Sequence, residues 1–246
     1  MSGDGCVWRI RHRAVTESTN RDALGGEPGD VFTADHQTAG RGRLSHRWLS
    51  PPGENLTMSA VVGVVGMSPE AVATLPLVAG LAAAEAVSEC LGGGRSQGAA
   101  VGIKWPNDVL VGERKICGVL CERNGDRVIV GIGVNVNQRR FDAEIAARAT
   151  SLSIEGGGAL SVDNVRDAVL RHFVAELGAW REGGFRAVWP KIREMDFLKG
   201  RAVSIARTDD DAAPATGECG GICDDGSLAV NGEPVYAGSA LWYGSR

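Results

Sequence analysis

Two segments bring fixed cations beside glycines and tight turns. One is Gln37-Thr38-Ala39-Gly40-Arg41-Gly42-Arg43. The other is Lys104-Trp105-Pro106-Asn107-Asp108, followed by Arg114-Lys115-Ile116-Cys117-Gly118. Alternating glycines let backbone N–H groups approach a ligand closely. Arginine forks match carboxylate or phosphate bidentately. The spacing is not that of a P-loop, because G-x4-G-K-[ST] is absent. Asn107 and Asp108 offer oxygens to Mg²⁺, a ribose or a phosphate partner. Lysine is scarce in this chain, with only four, and Lys104 and Lys115 both fall in the second segment. Together these types suit a site that grips a phosphate and a carboxylate at once. Taken singly, each segment has a plainer reading: a solvated or RNA-contacting Arg-Gly loop, and a surface Lys-Asp pair.

These residues need elements to hold them. Cys6 to His12 alternates like a half-buried strand. Ser18-Thr19-Asn20 opens a helix, with Thr19 and Asp22 spaced as a capping box. Val31 to Ala34 is a short strand, His36 to Gly53 a long polar loop, and Leu56 to Val65 a long apolar strand. Pro69 to Leu91 is helical, with Pro76 starting or kinking its main segment. Val101 to Trp105, Val109 to Val111, Lys115 to Arg123 and Arg127 to Val134 read as successive strands. Gly112-Glu113 and Asn124-Gly125 supply their turns, so the run is an antiparallel meander. Val162 to Trp180 is a helix and Gly183 to Phe197 another helical segment. After Gly200 short strands such as Ala202 to Ala206 and Ser227 to Val230 suggest a small β-barrel module. The fold class is α+β: a mixed, largely antiparallel sheet packed with helices over residues 1–198, then a small β module over 199–246.

Composition narrows the function classes. A net charge of −4 argues against a dedicated nucleic-acid binder. The N-terminus shows no apolar run, and Leu75 to Val87 is too short to span a bilayer, so the expected compartment is the cytoplasm. Cys117/Cys121 and Cys219/Cys223 are both C-x3-C pairs. A four-thiolate zinc site is one reading; small apolar thiols packed in strands is the preferred one.

The two segments occur with Ser18-Thr19-Asn20, Trp48, Lys115 to Glu122 and Gly131-Ile132-Gly133-Val134-Asn135-Val136-Asn137. In that order and spacing they resemble biotin–protein ligases, closely over residues 15 to 140 and more loosely beyond. The resemblance implies a class II synthetase-like catalytic domain followed by an SH3-like barrel. It implies an enzyme that activates biotin with ATP and Mg²⁺ to biotinyl-5′-AMP and passes biotin to a lysine of a carboxyl-carrier domain. The implied catalytic residues are Arg43 and Lys115. Biotin is expected to meet Ser18, Thr19, Asn20, Gln37, Gly40, Arg41, Gly42, Arg43, Lys115 and Gly118. The nucleotide is expected to meet Arg43, Trp48, Lys104, Asn107, Asp108, Lys115 and Asn135, with Asp108 also a candidate Mg²⁺ ligand. Where the family loop often has a further Gly-Arg pair, this chain has Leu44-Ser45-His46-Arg47. The motifs begin within twenty residues of Met1, leaving no room for an N-terminal winged helix. The resemblance therefore implies a monomeric or homodimeric ligase that is not a repressor and binds no specific DNA. A lipoate–protein ligase is the nearest alternative; an RNA-binding protein using the Arg-Gly loop is the alternative of another class.

Overall fold

The structure, a computed structural model, describes residues 8–43, 47–92, 100–156, 158–206 and 213–243. Its centre is a seven-stranded sheet. In chain order the strands are β1 (Arg9–Thr16), β2 (Asp30–Gln37), β3 (Leu56–Gly63), β4 (Val101–Lys104), β5 (Asp108–Val111), β6 (Arg114–Asn124) and β7 (Arg127–Val134). Their order across the sheet is β1-β2-β3-β7-β6-β5-β4. Only β1 and β2 run parallel; the remaining pairs are antiparallel. The expected mixed, largely antiparallel sheet and its four-stranded meander are present. Gly112 and Gly125 both take positive φ at the tight turns of that meander, where a side chain would strain the backbone.

Strand parity divides the sheet into two unlike faces. Met58, Ala60 and Val62 of β3, Val119 of β6, and Val128, Val130, Ile132 and Val134 of β7 join one large apolar cluster. Helices α3 (Leu75–Cys90) and α5 (Val162–Gly183) close over that face. Pro76 lies in the first turn of α3, so it starts the main helical segment; a short α2 (Pro69–Ala73) precedes it. Taken together, Pro69–Cys90, longer than the Leu75 to Val87 run, is long and apolar enough by length and composition to cross a bilayer. Here it is the core helix, with most of its residues fully enclosed between the sheet and α5.

Other expectations need correction. β1 is an edge strand exposed along both faces, not half-buried, because no element among the described residues covers it. β2 continues to Gln37, so the polar loop begins at Thr38. The helix after Ser18 is a single turn, α1 (Thr19–Asp22), followed by a 3-10 turn at Ala23–Gly25. Ser18, not Thr19, stands at its N-cap, and its own side chain makes no capping bond. Asp22 instead faces Arg13. A short α4 (Leu152–Gly156) had no clear signal in the sequence. α6 (Phe185–Glu194) follows α5 and carries Pro190 inside it.

Beyond α6, β8 (Ala202–Ala206), β9 (Ala215–Ile222), β10 (Leu228–Val230), β11 (Glu233–Val235) and β12 (Ser239–Tyr243) form a five-stranded sheet. All its pairings are antiparallel, as expected for a small barrel-like module. It is not a detached bead. Its Val203, Ile205, Leu228 and Val235 belong to the same apolar cluster as the large sheet. Trp105 and Trp189 donate indole N–H bonds to the backbone oxygens of Gly226 and Ile222 across the junction.

Candidate functional site

The face of the seven-stranded sheet that the large helices do not cover carries Thr57, Ser59 and Val61 from β3, Gly118, Leu120 and Glu122 from β6, and Ile129, Gly131 and Gly133 from β7. At its far end Ala23, Val61, Ile129 and Phe32 form a small apolar cluster that seats the α1 turn. The rest is an open cleft of about 480 Å³, counting space continuous with solvent. Ser18, Thr19, Asn20, Gln37, Arg41, Gly42, Arg43, Trp48, Asn107, Lys115 and Gly118 all line it. Residues from five stretches of sequence thus meet on one surface.

At one end lies a row of paired polar groups. Gln37, at the end of β2, accepts the backbone N–H of Thr19 through Oε1 at 2.8 Å. That bond satisfies the helix-start donor that a capping box would have served. Ser59 Oγ lies 2.7 Å from Thr19 Oγ1 and 2.6 Å from Asn20 Oδ1. Asn20 Nδ2 donates to Glu122 at 2.6 Å. Arg41, from the loop, donates to both carboxylate oxygens of Glu122 at 2.6 Å.

At the other end are cations around one carboxylate. Lys115 Nζ lies 2.5 Å from Asp108 Oδ1, and Lys104 Nζ lies 3.9 Å from Asp108 Oδ2. Arg43 donates to Asn107 Oδ1 and to the Gly238 carbonyl, both at 3.2 Å. Burial lowers the proton affinity of Lys104, and the charges of Lys115, Arg43 and Arg148 lower it further, against the pull of Asp108. Burial lowers that of Arg43 likewise, again opposed by Asp108. Among the described residues Asp108 is the carboxylate that faces these lysines, and cations gathered in this way favour an anionic ligand.

Lys115 reaches this site through a break in strand parity. Plain alternation would put Lys115 and Gly118 on opposite faces. In the pairing with β5, Leu110 faces Lys115 while Val109 faces Cys117, so Ile116 is an extra residue in the strand. This bulge buries Ile116 and Cys117 in the core and turns Lys115 and Gly118 to the same side. The backbone of Lys115 is independently fixed, its N–H to Arg148 and its C=O from Thr150. It is therefore half-buried rather than at an exposed hairpin end.

Between the two ends, glycines make the floor. A Cβ on Gly131 would stand 2.3 Å from Asn20 Oδ1, and one on Gly133 would stand 2.5 Å from the Trp48 ring. Trp48 rests on Gly133 and Gly118, and its buried indole N–H has no hydrogen-bond partner among the described residues. Gly40 is not at the cleft wall. It lets the loop cross tightly, since its Cβ would lie 2.5 Å from the Trp48 carbonyl, and its own carbonyl accepts the Trp48 N–H. Arg41 and Arg47 pair across the loop; Leu44-Ser45-His46, and with them the departure noted at His46, lie outside the described residues.

Three expected ligand contacts have other work. Asn135 is buried and spends its amide on the Thr150 carbonyl, tying β7 to the segment before α4 instead of facing the cleft. Lys104 stands behind the cleft wall, its ammonium 5.0 Å from the Trp242 ring centre. Asp108, the candidate Mg²⁺ ligand, faces two lysines here. It is held between two ammonium groups, and no cluster of three acidic, His or Cys side chains suited to a metal occurs among the described residues. Its evident part is to hold the two lysines in register. Of the cysteines, Cys117 and Cys121 lie in β6 and burial pushes each thiol up to about 12.

Sequence reading gave no role to Glu122, Thr57, Ser59, Gly131 or Gly133. The signals exist in hindsight. Thr57 and Ser59 alternate with apolar residues in β3, and Gly131 and Gly133 alternate in β7, where glycine marks a close approach.

Residues 6–138 match the biotin/lipoate A/B protein ligase family. A biotin–[acetyl-CoA-carboxylase] ligase of Mycobacterium tuberculosis is 36% identical over 188 residues, 74% of this chain and 69% of that protein. Another, from Paracoccus denitrificans, is 32% identical over 234 residues, 89% of this chain and 92% of that protein. The bifunctional ligase/repressor BirA of Escherichia coli is 30% identical over 200 residues, 78% of this chain but only 60% of that protein's length. Among solved structures, the biotin protein ligase of Aquifex aeolicus in complex with biotin and ATP superposes with a TM-score of 0.83 at 30% identity, covering 96% of this chain and 99% of that one.

Proposed function

Because the chain belongs to the biotin/lipoate A/B protein ligase family, we propose that it activates biotin with ATP and transfers it to a lysine of a carboxyl-carrier domain. One observation carries this reading: a single cleft holds a row of paired polar groups at one end and a cation cluster at the other, about as a bicyclic urea with a carboxylate tail would require. In the first step the biotin carboxylate attacks the α-phosphorus of ATP, giving biotinyl-5′-AMP and pyrophosphate. Two anions must be brought together, and cations fixed in advance offset their repulsion. Lys115 is assigned to bridge the carboxylate and the α-phosphate, with Arg43 approaching from the loop. Asn107 orients Arg43, and Asp108 orients Lys115. In the second step the carrier lysine amine attacks the mixed anhydride and AMP leaves.

Ser18, Thr19, Asn20 and Gln37 are assigned to the ureido end, and Trp48 to the nucleotide side. Arg41 lies across the entrance, where closure keeps water from the anhydride. Mg²⁺ would neutralise the ATP phosphates.

Mass spectrometry of an unmodified carrier domain, incubated with the protein, ATP, Mg²⁺ and either biotin or lipoate, tests the proposal. The expected result is a mass gain with biotin and none with lipoate, since lipoate has no ureido group for the polar row. A gain with lipoate alone would reassign the substrate; no gain with either would overturn the reading.

A further inference from the structure

Glu122 accepts from both Asn20 and Arg41, and so ends the chain of hydrogen bonds that runs through Ser59 and Asn20. A carboxylate only accepts. The Asn20 atom facing it at 2.6 Å must therefore be the amide nitrogen, which turns Oδ1 toward Ser59. Asn20 cannot turn over without setting its carbonyl against the carboxylate. Ser59 has one hydroxyl hydrogen, and with Asn20 Oδ1 as an acceptor it donates there; its oxygen also lies 2.7 Å from Thr19 Oγ1, whose own hydroxyl is within 3.2 Å of Gln37 Oε1. The row then runs in one direction, from Ser59 through Asn20 to Glu122. Gln37 Oε1 is meanwhile held by the Thr19 N–H, which turns the Gln37 amide nitrogen away from Thr19. The same carboxylate draws Arg41 of the loop across the cleft. Gly131 lets the arrangement sit against the sheet, as a Cβ there would strike Asn20 Oδ1.

We infer that Glu122 is a positioning residue that sets which groups of the polar row are donors and which are acceptors, and so selects the orientation of a small ligand carrying both. This rests on the proposed biotin reading for the ligand's identity. It does not rest on it for the row itself.

The test compares full-length wild type with Glu122→Gln and Glu122→Asp. Gln has the right size but presents a donor to either Asn20 or Arg41. Asp is one methylene short but accepts only. If polarity is the function, Gln is the worse substitution; a shape-filling role would give the reverse order. Glu122→Gln should raise KM for biotin at least about fivefold, the scale of one buried polar group left unpaired, while KM for ATP changes less than about twofold. In an Asn20→Ala background the same change should have little further effect on biotin KM, because Asn20 transmits it. A full, additive effect in that background, an unchanged biotin KM, or Asp worse than Gln would each overturn the inference. A ligand-free readout keeps the two readings apart. Glu122→Gln should speed tryptic cleavage after Arg41 relative to wild type, and equal rates would refute the hold of Glu122 on Arg41 even if the protein turned over no biotin. Thermal midpoints identify a variant that does not fold. In that case Ser59→Ala, which removes the donor to Asn20, must raise biotin KM selectively or the inference fails.

Discussion

The two faces of the seven-stranded sheet are made by the same strands, residue by residue in alternation, and have opposite composition. On the helix face β7 carries Val128, Val130, Ile132 and Val134, all buried in one apolar cluster. On the cleft face the intervening positions are Ile129, Gly131 and Gly133. β3 repeats the contrast, with Met58 and Ala60 against Thr57 and Ser59. Branched side chains fill the helix face because packing there is worth stability. Glycines and hydroxyls leave the cleft face open and polar, which forgoes burial to make room for a ligand and for Asn20 and Trp48. One face therefore specifies the fold and the other the chemistry. Damage to each should be separable.

The largest expected effect is on the helix face. Phe173 of α5 is fully buried and stacks on Trp8 with ring centres 5.9 Å apart. Phe173→Ala should cost about 3–5 kcal/mol of stability through lost contacts and a cavity. Activity per folded molecule, measured well below the new melting midpoint, should stay near wild type. A proportionate loss of activity in the folded fraction would mean the two faces are coupled.

Next comes the cation cluster. Lys115→Ala should reduce pyrophosphate release by about 10²-fold or more, since it removes charge stabilisation where two anions meet. The melting midpoint should scarcely move, because the Lys115 backbone bonds to Arg148 and Thr150 survive the substitution. Near wild-type turnover would remove Lys115 from the chemistry.

That asymmetry also governs what the sequence could reveal. The meander was legible because Gly112 and Asn124-Gly125 punctuate it and its strands are apolar. The motif residues Ser18 to Asn20, Gln37 and Lys115 were legible by type and order. Their mutual geometry was not. Parity puts Lys115 on the wrong face, and only the extra residue at Ile116 corrects it; apolar Ile116 and Cys117 carry no local mark of a bulge. The N-cap at Ser18 was misjudged because its orphan donor is satisfied by Gln37, distant in sequence. Asn135 is an expected nucleotide contact by resemblance alone; its amide bond to Thr150 is a tertiary fact. α4 is a single short turn with little periodicity to detect.

The cleft-face glycines sharpen the comparison further. Gly131→Ala would place a methyl 2.3 Å from Asn20 Oδ1, and Asn20 is held on both sides by Ser59 and Glu122. Overpacking against a pinned partner typically costs about 1–3 kcal/mol. Here the strain should appear mainly as a biotin KM raised roughly tenfold or more, the kinetic equivalent of about 1.4 kcal/mol. Isothermal titration with biotin checks it, and an unchanged affinity would show that Asn20 does not read the ligand.

Gly118→Ala should be the mildest of these changes, and the reason lies in what the new methyl meets. Its nearest neighbours are Lys115 Nζ at 3.0 Å and Cε at 3.1 Å, with a Trp48 ring atom at 3.3 Å. The first two are the far end of a flexible chain. The ammonium can shift by a few tenths of an ångström while keeping Asp108, because the contact to be relieved is short by about that much. The fold should not notice, since Gly118 keeps an ordinary extended backbone opposite Asp108 and Gly133. Catalysis should notice slightly, because Lys115 is the group displaced and position matters to a charge that acts on a transition state. We therefore expect pyrophosphate release to fall by roughly two- to fivefold, far short of the ~10²-fold loss for Lys115→Ala. Steady-state kinetics on the two variants side by side give the ratio. A Gly118→Ala enzyme as dead as Lys115→Ala would mean that the space over Gly118 is occupied by the substrate itself, and that the cleft floor, not the lysine's freedom to move, sets the limit.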